Sequence, residues 1–210
     1  MAEQDGVRLI GFKHSVFSRA ARIGCMELGV RYVWREHNPF DAPPAQHPFG
    51  RVPVLEQGGA RIYETWAILI YLERFARQAP EESPLQAARV AQVAGMVSSY
   101  VYWPLVRQVY SQEVFAPAMG EAGDKAVVAE GYAAAPGILD ALEALAAEGE
   151  VLTEATQGKA DWILFPMIDA FCKSERAREM LIERPALFDW WQRFGAREGI
   201  AVTFTPLIAD

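Results

Sequence analysis

The sequence predicts two units of different class: a small α/β domain ordered β-α-β then β-β-α, followed by an all-α helical bundle. In the first third, short β-branched apolar runs alternate with stretches of helical period. The segment Gln78–Pro84 (QAPEESP) is polar and ends at a proline, which suits a linker. Beyond it every apolar pattern is helical and no convincing strand remains. These three features give a first domain over 1–77, a linker over 78–86 and a helical domain over 87–210.

Each element has a local reason. Val7 to Phe12 (VRLIGF) is a strand-type run. Ser18 to Leu28 reads as a helix with Ala20, Ile23 and Leu28 on its apolar side, and Gly29 is placed to end it in the left-handed conformation. Val30 to Trp34 is a second strand. Pro39, Pro43, Pro44 and Pro48 keep the stretch from Asn38 to Phe49 from forming more than a helical turn. Val52 to Leu55 begins a third strand, Gly58-Gly59 turns the chain, and Arg61 to Tyr63 returns it. Glu64 to Arg77 is a strong helix carrying Trp66, Leu69, Ile70 and Phe75. Further helices are predicted over Leu85 to Phe115, Ala122 to Gly149, Lys159 to Cys172, Ser174 to Glu183 and Leu187 to Glu198. Pro104 is expected to kink the first of these, because a proline inside a helix removes one hydrogen bond and crowds the preceding turn.

Composition narrows the function. The 210 residues carry 20 Lys+Arg against 27 Asp+Glu, a formal charge of -7, with 51% hydrophobic residues. Such a chain buries a real core. It has no cluster of positive charge for nucleic acid or an anionic membrane surface. The charge is uneven: residues 1–77 hold 10 basic and 8 acidic side chains, residues 78–210 hold 10 and 19. No apolar run approaches the roughly 18 residues of a membrane span. Met1 to Gly6 is polar and acidic, unlike a secretory signal. Two cysteines, Cys25 and Cys172, make neither a disulfide framework nor a zinc site, and a reducing cytoplasmic setting follows as the expectation. His14, His37 and His47 all precede residue 50, so no histidine metal site spans the chain.

Three places in the first domain can carry chemistry. Ser15 lies in the turn before the first helix, where unpaired N–H groups and a partial positive charge favour an anion. Its hydroxyl could donate to a thiolate and lower a thiol pKa from about 8.5; equally, Ser15 or Ser18 could simply cap the helix. Pro53 cannot donate to a sheet ladder. It suits either an ordinary strand start or a cis bond after Val52 whose backbone would pair with an extended peptide. Glu64 and Thr65 begin the next helix, where they could hold an ammonium group and a carboxylate, or again cap the helix.

Taken together, these motifs resemble the glutathione transferase superfamily, of a bacterial type with a serine in the active-site turn. The stretch His47-Pro48-Phe49-Gly50-Arg51-Val52-Pro53-Val54-Leu55 is similar to that family's N-P-F-G-[KQR]-[VI]-P-x-L, and Tyr63-Glu64-Thr65-Trp66-Ala67-Ile68 with Tyr71-Leu72 to its E-[ST]-x-A-I-x-x-Y-L. Ala160-Asp161 with Pro166 resembles the A-D-x-x-L-x-P core of its second domain, and Phe188 to Pro206 its closing segment. The resemblance implies a thioredoxin-like first domain and glutathione as co-substrate, without a metal. It gives Ser15 to the thiol, the Val52 backbone ahead of a cis Pro53 to the cysteinyl unit, and Glu64 and Thr65 to the γ-glutamyl end, with Arg51 as a second carboxylate partner. It also implies a homodimer in the cytoplasm that detoxifies electrophilic small molecules. A non-catalytic binding or assembly protein of the same fold is the alternative.

Departures from the pattern are specific. His47 replaces an asparagine, the loop from Asn38 to Gln46 lacks basic residues for the glycyl carboxylate, and Gly158 stands where Ser or Thr usually caps a helix. Tyr100, Trp103, Arg107 and Tyr110 follow helical spacing on one face. They are candidates for the acceptor pocket, a dimer contact or plain core. Trp162, Trp190 and Trp191 are expected in the core.

Overall fold

The computed structural model describes residues 6–207. They form two compact units, one running to Glu81 and taking back Val202–Thr205, the other comprising Glu82–Ala201.

The first unit is built on four strands: β1 Val7–Gly11, β2 Tyr32–Glu36, β3 Val54–Gln57 and β4 Ala60–Tyr63. Their order is β2-β1-β3-β4. β1 and β2 run parallel, joined by the crossover helix α1 (Val16–Glu27), while β1/β3 and β3/β4 are antiparallel. Leu9, Ile10, Val54 and Leu55 are buried from the sheet, Ala20, Ala21 and Ile23 from α1, and Ile68, Leu69 and Leu72 from α2 (Thr65–Phe75), which packs on α1. Gly58 and Gly59 have φ of 54° and 81°, the pair of positive values that a two-residue hairpin turn needs.

Two strands start later than the local pattern predicts. The Val30 amide donates to Cys25 O at 2.8 Å, completing the α1 terminus around Gly29 (φ 63°), so β2 begins only at Tyr32. Pro53 has no amide hydrogen, so the β3 ladder opens at Val54 rather than Val52. α1 conversely starts earlier, at Val16, because Ser15 caps it.

In the second unit, α3 (Pro84–Met96) passes into a wider π-helical segment, Val97–Phe115, then a single turn α4 (Ala116–Ala118). α5 spans Lys125–Glu148, α6 Lys159–Phe171, α7 Glu175–Ile182 and α8 Pro185–Gly195, and Ala201–Thr203 is a 3₁₀ turn. Pro104 lies inside this segment, whose hydrogen-bond register is wider than that of an α-helix, with the Ala116 amide reaching back to Ser111 O. Gly131 of α5 sits against Pro104 O, where a Cβ would lie 2.8 Å away, so a side chain there would push the two segments apart. α5 begins at Lys125 and not at Ala122, since Gly123 lies flush against Gln112 and Asp124 accepts from the amides of Ala126 and Val127.

Every residue of α6 is buried, so this helix is the axis of the second core. Phe165 meets Trp190 and Phe194 of α8 at centroid distances of 6.3 and 5.1 Å. Trp162 and Trp190 lie in the core as expected, but Trp191 is only half-buried and packs on Phe188. Glu143 of α5 accepts from the Ala186 and Leu187 amides, capping α8 from a neighbouring helix.

Candidate functional site

The strand register brings the three chemistry-bearing segments to one end of the first sheet. Ile10, near the end of β1, pairs with Val54, the first residue of β3, and Val54 pairs with Tyr63, the last of β4. The turn bearing Ser15 follows β1, Val52-Pro53 precedes β3, and Glu64-Thr65 follows β4. All three therefore lie at the same edge, although up to 50 residues separate them in sequence.

The two serines of the first turn have different roles. Ser18 is wholly buried and its hydroxyl accepts from the Phe12 amide at 3.2 Å. Ser15 is half-buried and caps α1, accepting from the Ser18 amide at 3.2 Å, while its own amide donates to Phe12 O at 2.9 Å. Capping uses a lone pair of the Ser15 oxygen and leaves its proton able to donate outward. α1 carries no acidic residue in its first turn, so its N-terminal partial charge is not neutralised from within. Burial lowers the His14 pKa, reinforced by Lys13 and opposed by Glu36, which favours the neutral ring beside the turn.

Glu36 is a residue of this region that sequence reasoning missed. Its carboxylate accepts from the Lys13 amide at 2.9 Å and from Trp34 Nε1 at 2.9 Å, fixing the turn from the end of β2. Nothing in the local pattern marks a glutamate at a strand end for that task. The parallel pairing of Gly11 with Glu36 creates it.

Val52-Pro53 is a cis peptide, with Pro53 buried and Val52 half-buried. Arg51 beside it is exposed. His47, in place of an asparagine, is buried and accepts at Nδ1 from the Phe49 amide at 3.1 Å, and its ring lies 5.0 Å from that of Tyr63. Burial lowers its pKa, with Glu64 raising it and Arg51 lowering it further. Arg51 and Glu64 thus act on the same ring, and the loop is tied to the end of β4.

Glu64 adopts φ 67° and ψ 116° at the N-terminus of α2, with no capping bond from its exposed side chain. A non-glycine residue there is strained by about 1–3 kcal/mol. Thr65 behind it is buried. α2, like α1, has no acidic residue in its first turn. This edge therefore offers the Ser15 hydroxyl, the N-terminus of α1, the Arg51 guanidinium and the exposed Glu64 carboxylate, a set suited to a small zwitterionic ligand. Among the described residues, no three His, Cys, Asp or Glu side chains are grouped to hold a metal.

In the second unit the aromatic stripe does not keep one face. Tyr100 and Trp103 are 65% and 61% exposed, Arg107 is half-buried, and Tyr110 is buried at 8%. The segment is π-helical, so the α spacing that grouped these four residues does not apply along it.

Residues 9–80 match the family model described as "Glutathione S-transferase, N-terminal domain". Glutathione S-transferase 4 of Zea mays is 29% identical over 202 residues, covering 91% of this chain and 88% of that protein. Glutathione transferase F7 from Populus trichocarpa superposes with a TM-score of 0.81 at 21% identity, over 95% of this chain and 100% of the other. Glutathione S-transferase I from maize, solved with an atrazine glutathione conjugate, gives 0.79 at 21% identity, over 96% and 99%. These two likenesses establish a shared fold of thioredoxin-like and helical parts.

Proposed function

We infer, from a chain that belongs to the glutathione S-transferase superfamily, that this edge binds glutathione and activates its thiol for attack on an electrophilic carbon. The observation that carries the reading is the convergence, by strand register, of Ser15, Val52-Pro53 and Glu64-Thr65 on one edge. The Glu64 carboxylate and the Thr65 hydroxyl and amide take the γ-glutamyl ammonium and carboxylate, helped by Arg51. The Val52 backbone pairs with the cysteinyl unit. The thiol then lies at the N-terminus of α1, where the Ser15 hydroxyl donates to it.

Thiolate stabilisation there lowers the thiol pKa, and the released proton passes to solvent. The sulfur forms a bond to the electrophilic carbon as that carbon gives up its leaving group or a π-electron pair. Proximity and thiolate population supply the rate, and no covalent enzyme intermediate is required. Tyr100, Trp103 and Arg107 are proposed on the acceptor side, and the core position of Tyr110 gives it a packing role. A homodimer is supported by apolar side chains exposed on the first unit, among them Phe49 and Ile70. A cytoplasmic setting, where thiols stay reduced, agrees with the two free cysteines, and a detoxifying role would follow from conjugating electrophiles.

Retention on immobilised glutathione and conjugation of a set of apolar electrophiles test the reading. Wild type is expected to be retained and to turn over, and Ser15→Ala to be retained with little turnover. Protein that neither binds nor conjugates would sink it. Full turnover by Ser15→Ala would remove only the role of the serine.

A further inference from the structure

The chain returns to the first unit at Val202–Thr205 and is held there by two arginines of α1. Arg22 Nη1 and Nη2 donate to Thr203 O and Val202 O at 3.1 and 3.2 Å, two successive carbonyls of the 3₁₀ turn. Arg19 Nε donates to Thr203 Oγ1 at 3.1 Å in a buried contact, and its guanidinium lies 5.5 Å from the Phe204 ring centroid. The forked donors of an arginine suit two adjacent carbonyls in a way that a lysine cannot reproduce.

The contacts continue from the arginines to the serine turn. Arg22 lies 5.3 Å over the Trp34 ring, and its Nε donates to Tyr32 Oη at 3.4 Å. The same indole covers Gly11, where a Cβ would come within 2.5 Å of Cη2, and its Nε1 donates to Glu36. Glu36 in turn holds the Lys13 amide. Tail, α1, the end of β2 and the turn bearing Ser15 are thus one connected set, all within the first unit.

We propose that Val202–Thr205 is a clamp on α1, and that Arg19, Arg22, Thr203, Trp34 and Glu36 are positioning residues that hold the Ser15 turn. None needs to touch substrate. Releasing the clamp frees the Arg22 fork and loosens the indole over Gly11, so the Lys13 and Ser15 amides open more often. The consequence for glutathione rests on the function proposed above; the coupling of tail to turn does not.

Full-length Arg22→Gln, Arg22→Lys, Thr203→Val and Thr203→Ser provide the test, beside Trp34→Phe. Arg22→Lys keeps the charge without the fork. Thr203→Ser keeps the hydroxyl that Arg19 uses, and serves as the rescue if Thr203→Val proves poorly folded. None of them alters Lys13, His14 or Glu36, the titratable groups beside the turn. Amide hydrogen exchange at Lys13 and Ser15 is expected to rise about tenfold in Arg22→Gln, Arg22→Lys and Thr203→Val and to stay within about twofold in Thr203→Ser. With glutathione bound, the thiolate absorbance should titrate about half a pH unit higher in the first three, a roughly threefold smaller thiolate fraction at pH 7. The glutathione KM should change less than kcat.

Unchanged exchange at those amides in folded variants overturns the clamp. Raised exchange with an unchanged thiol titration overturns its role in the site. If wild type does not bind glutathione, the functional reading has failed, and the exchange measurement still decides the clamp.

Discussion

The N-termini of α1 and α6 meet the same electrostatic demand in opposite ways. Each presents unpaired amides and a partial positive charge. At α6 the answer is internal. Asp161 accepts from the Gly158 amide at 2.8 Å and from Trp190 Nε1 at 2.7 Å, entirely buried, so no outside anion has a place. At α1 the cap is a neutral, half-buried serine with no carboxylate in the first turn. The first arrangement locks a core, and the second leaves the charge for a ligand. The same local device serves stability or chemistry according to whether the acceptor for its amides is built into the core.

The largest expected effect removes the internal acceptor at α6. Asp161→Ala leaves the Gly158 amide and the buried Trp190 indole N–H unpaired, and should lower unfolding free energy by roughly 3 kcal/mol. Denaturant unfolding measures it, and a loss below about 1 kcal/mol would break the contrast.

The complementary change imports a carboxylate to α1. Ser15→Asp keeps a good N-cap, so the unfolding midpoint should hold, while the added charge opposes a thiolate and lowers kcat/KM roughly 100-fold. Conjugation kinetics alongside thermal melts would show whether cap and chemistry separate. Equal loss of both would mean the serine only caps.

The third concerns pH. Burial raises the Asp161 pKa to about 7, against the hydrogen bonds from Trp190 and Gly158 that lower it. A folded pKa above the unfolded value of about 3.9 means that the folded state binds the proton more tightly. This contribution is present in full below about pH 4 and is lost as pH rises through 7, at up to about 1.4 kcal/mol per unit. Asp161→Asn should flatten that slope, which unfolding at pH 5 and pH 8 would reveal. An identical slope in the variant would assign it to other groups.

The smallest effect completes the α6 cap. Gly158 has no side chain to accept from the first turn, so only the Asp161 half of a reciprocal cap exists there, and a Cβ at 158 meets nothing within 4 Å. Gly158→Ser should therefore raise stability by a few tenths of a kcal/mol. A decrease would show that the serine does not reach the amides.

Much of this was legible in local pattern. Gly58-Gly59 signalled its hairpin because only a residue without Cβ adopts two positive φ values cheaply. The missing side-chain cap at Gly158 was legible because capping is decided within the first turn of a helix. The single face proposed for Tyr100, Trp103, Arg107 and Tyr110 did not hold, and Tyr110 took the core place that was one of its readings. The helical spacing that grouped it with Tyr100 and Trp103 assumed an α register, and packing around Pro104 and Gly131 accompanied another. Glu36 and Thr203 carried no local signal at all. Their partners lie 23 and 184 residues away.

By itself the sequence determined the order of strands and helices, since strand and helix periods, glycine turns and proline breaks act over a few residues, but not the π register of Val97–Phe115. Only the tertiary structure decided that Ser15, Val52-Pro53 and Glu64-Thr65 share one end of a sheet, that β2 and β3 start late, and that the chain returns to clamp α1. Those outcomes depend on strand register and on which distant donors meet which acceptors, choices made by packing the whole unit at once.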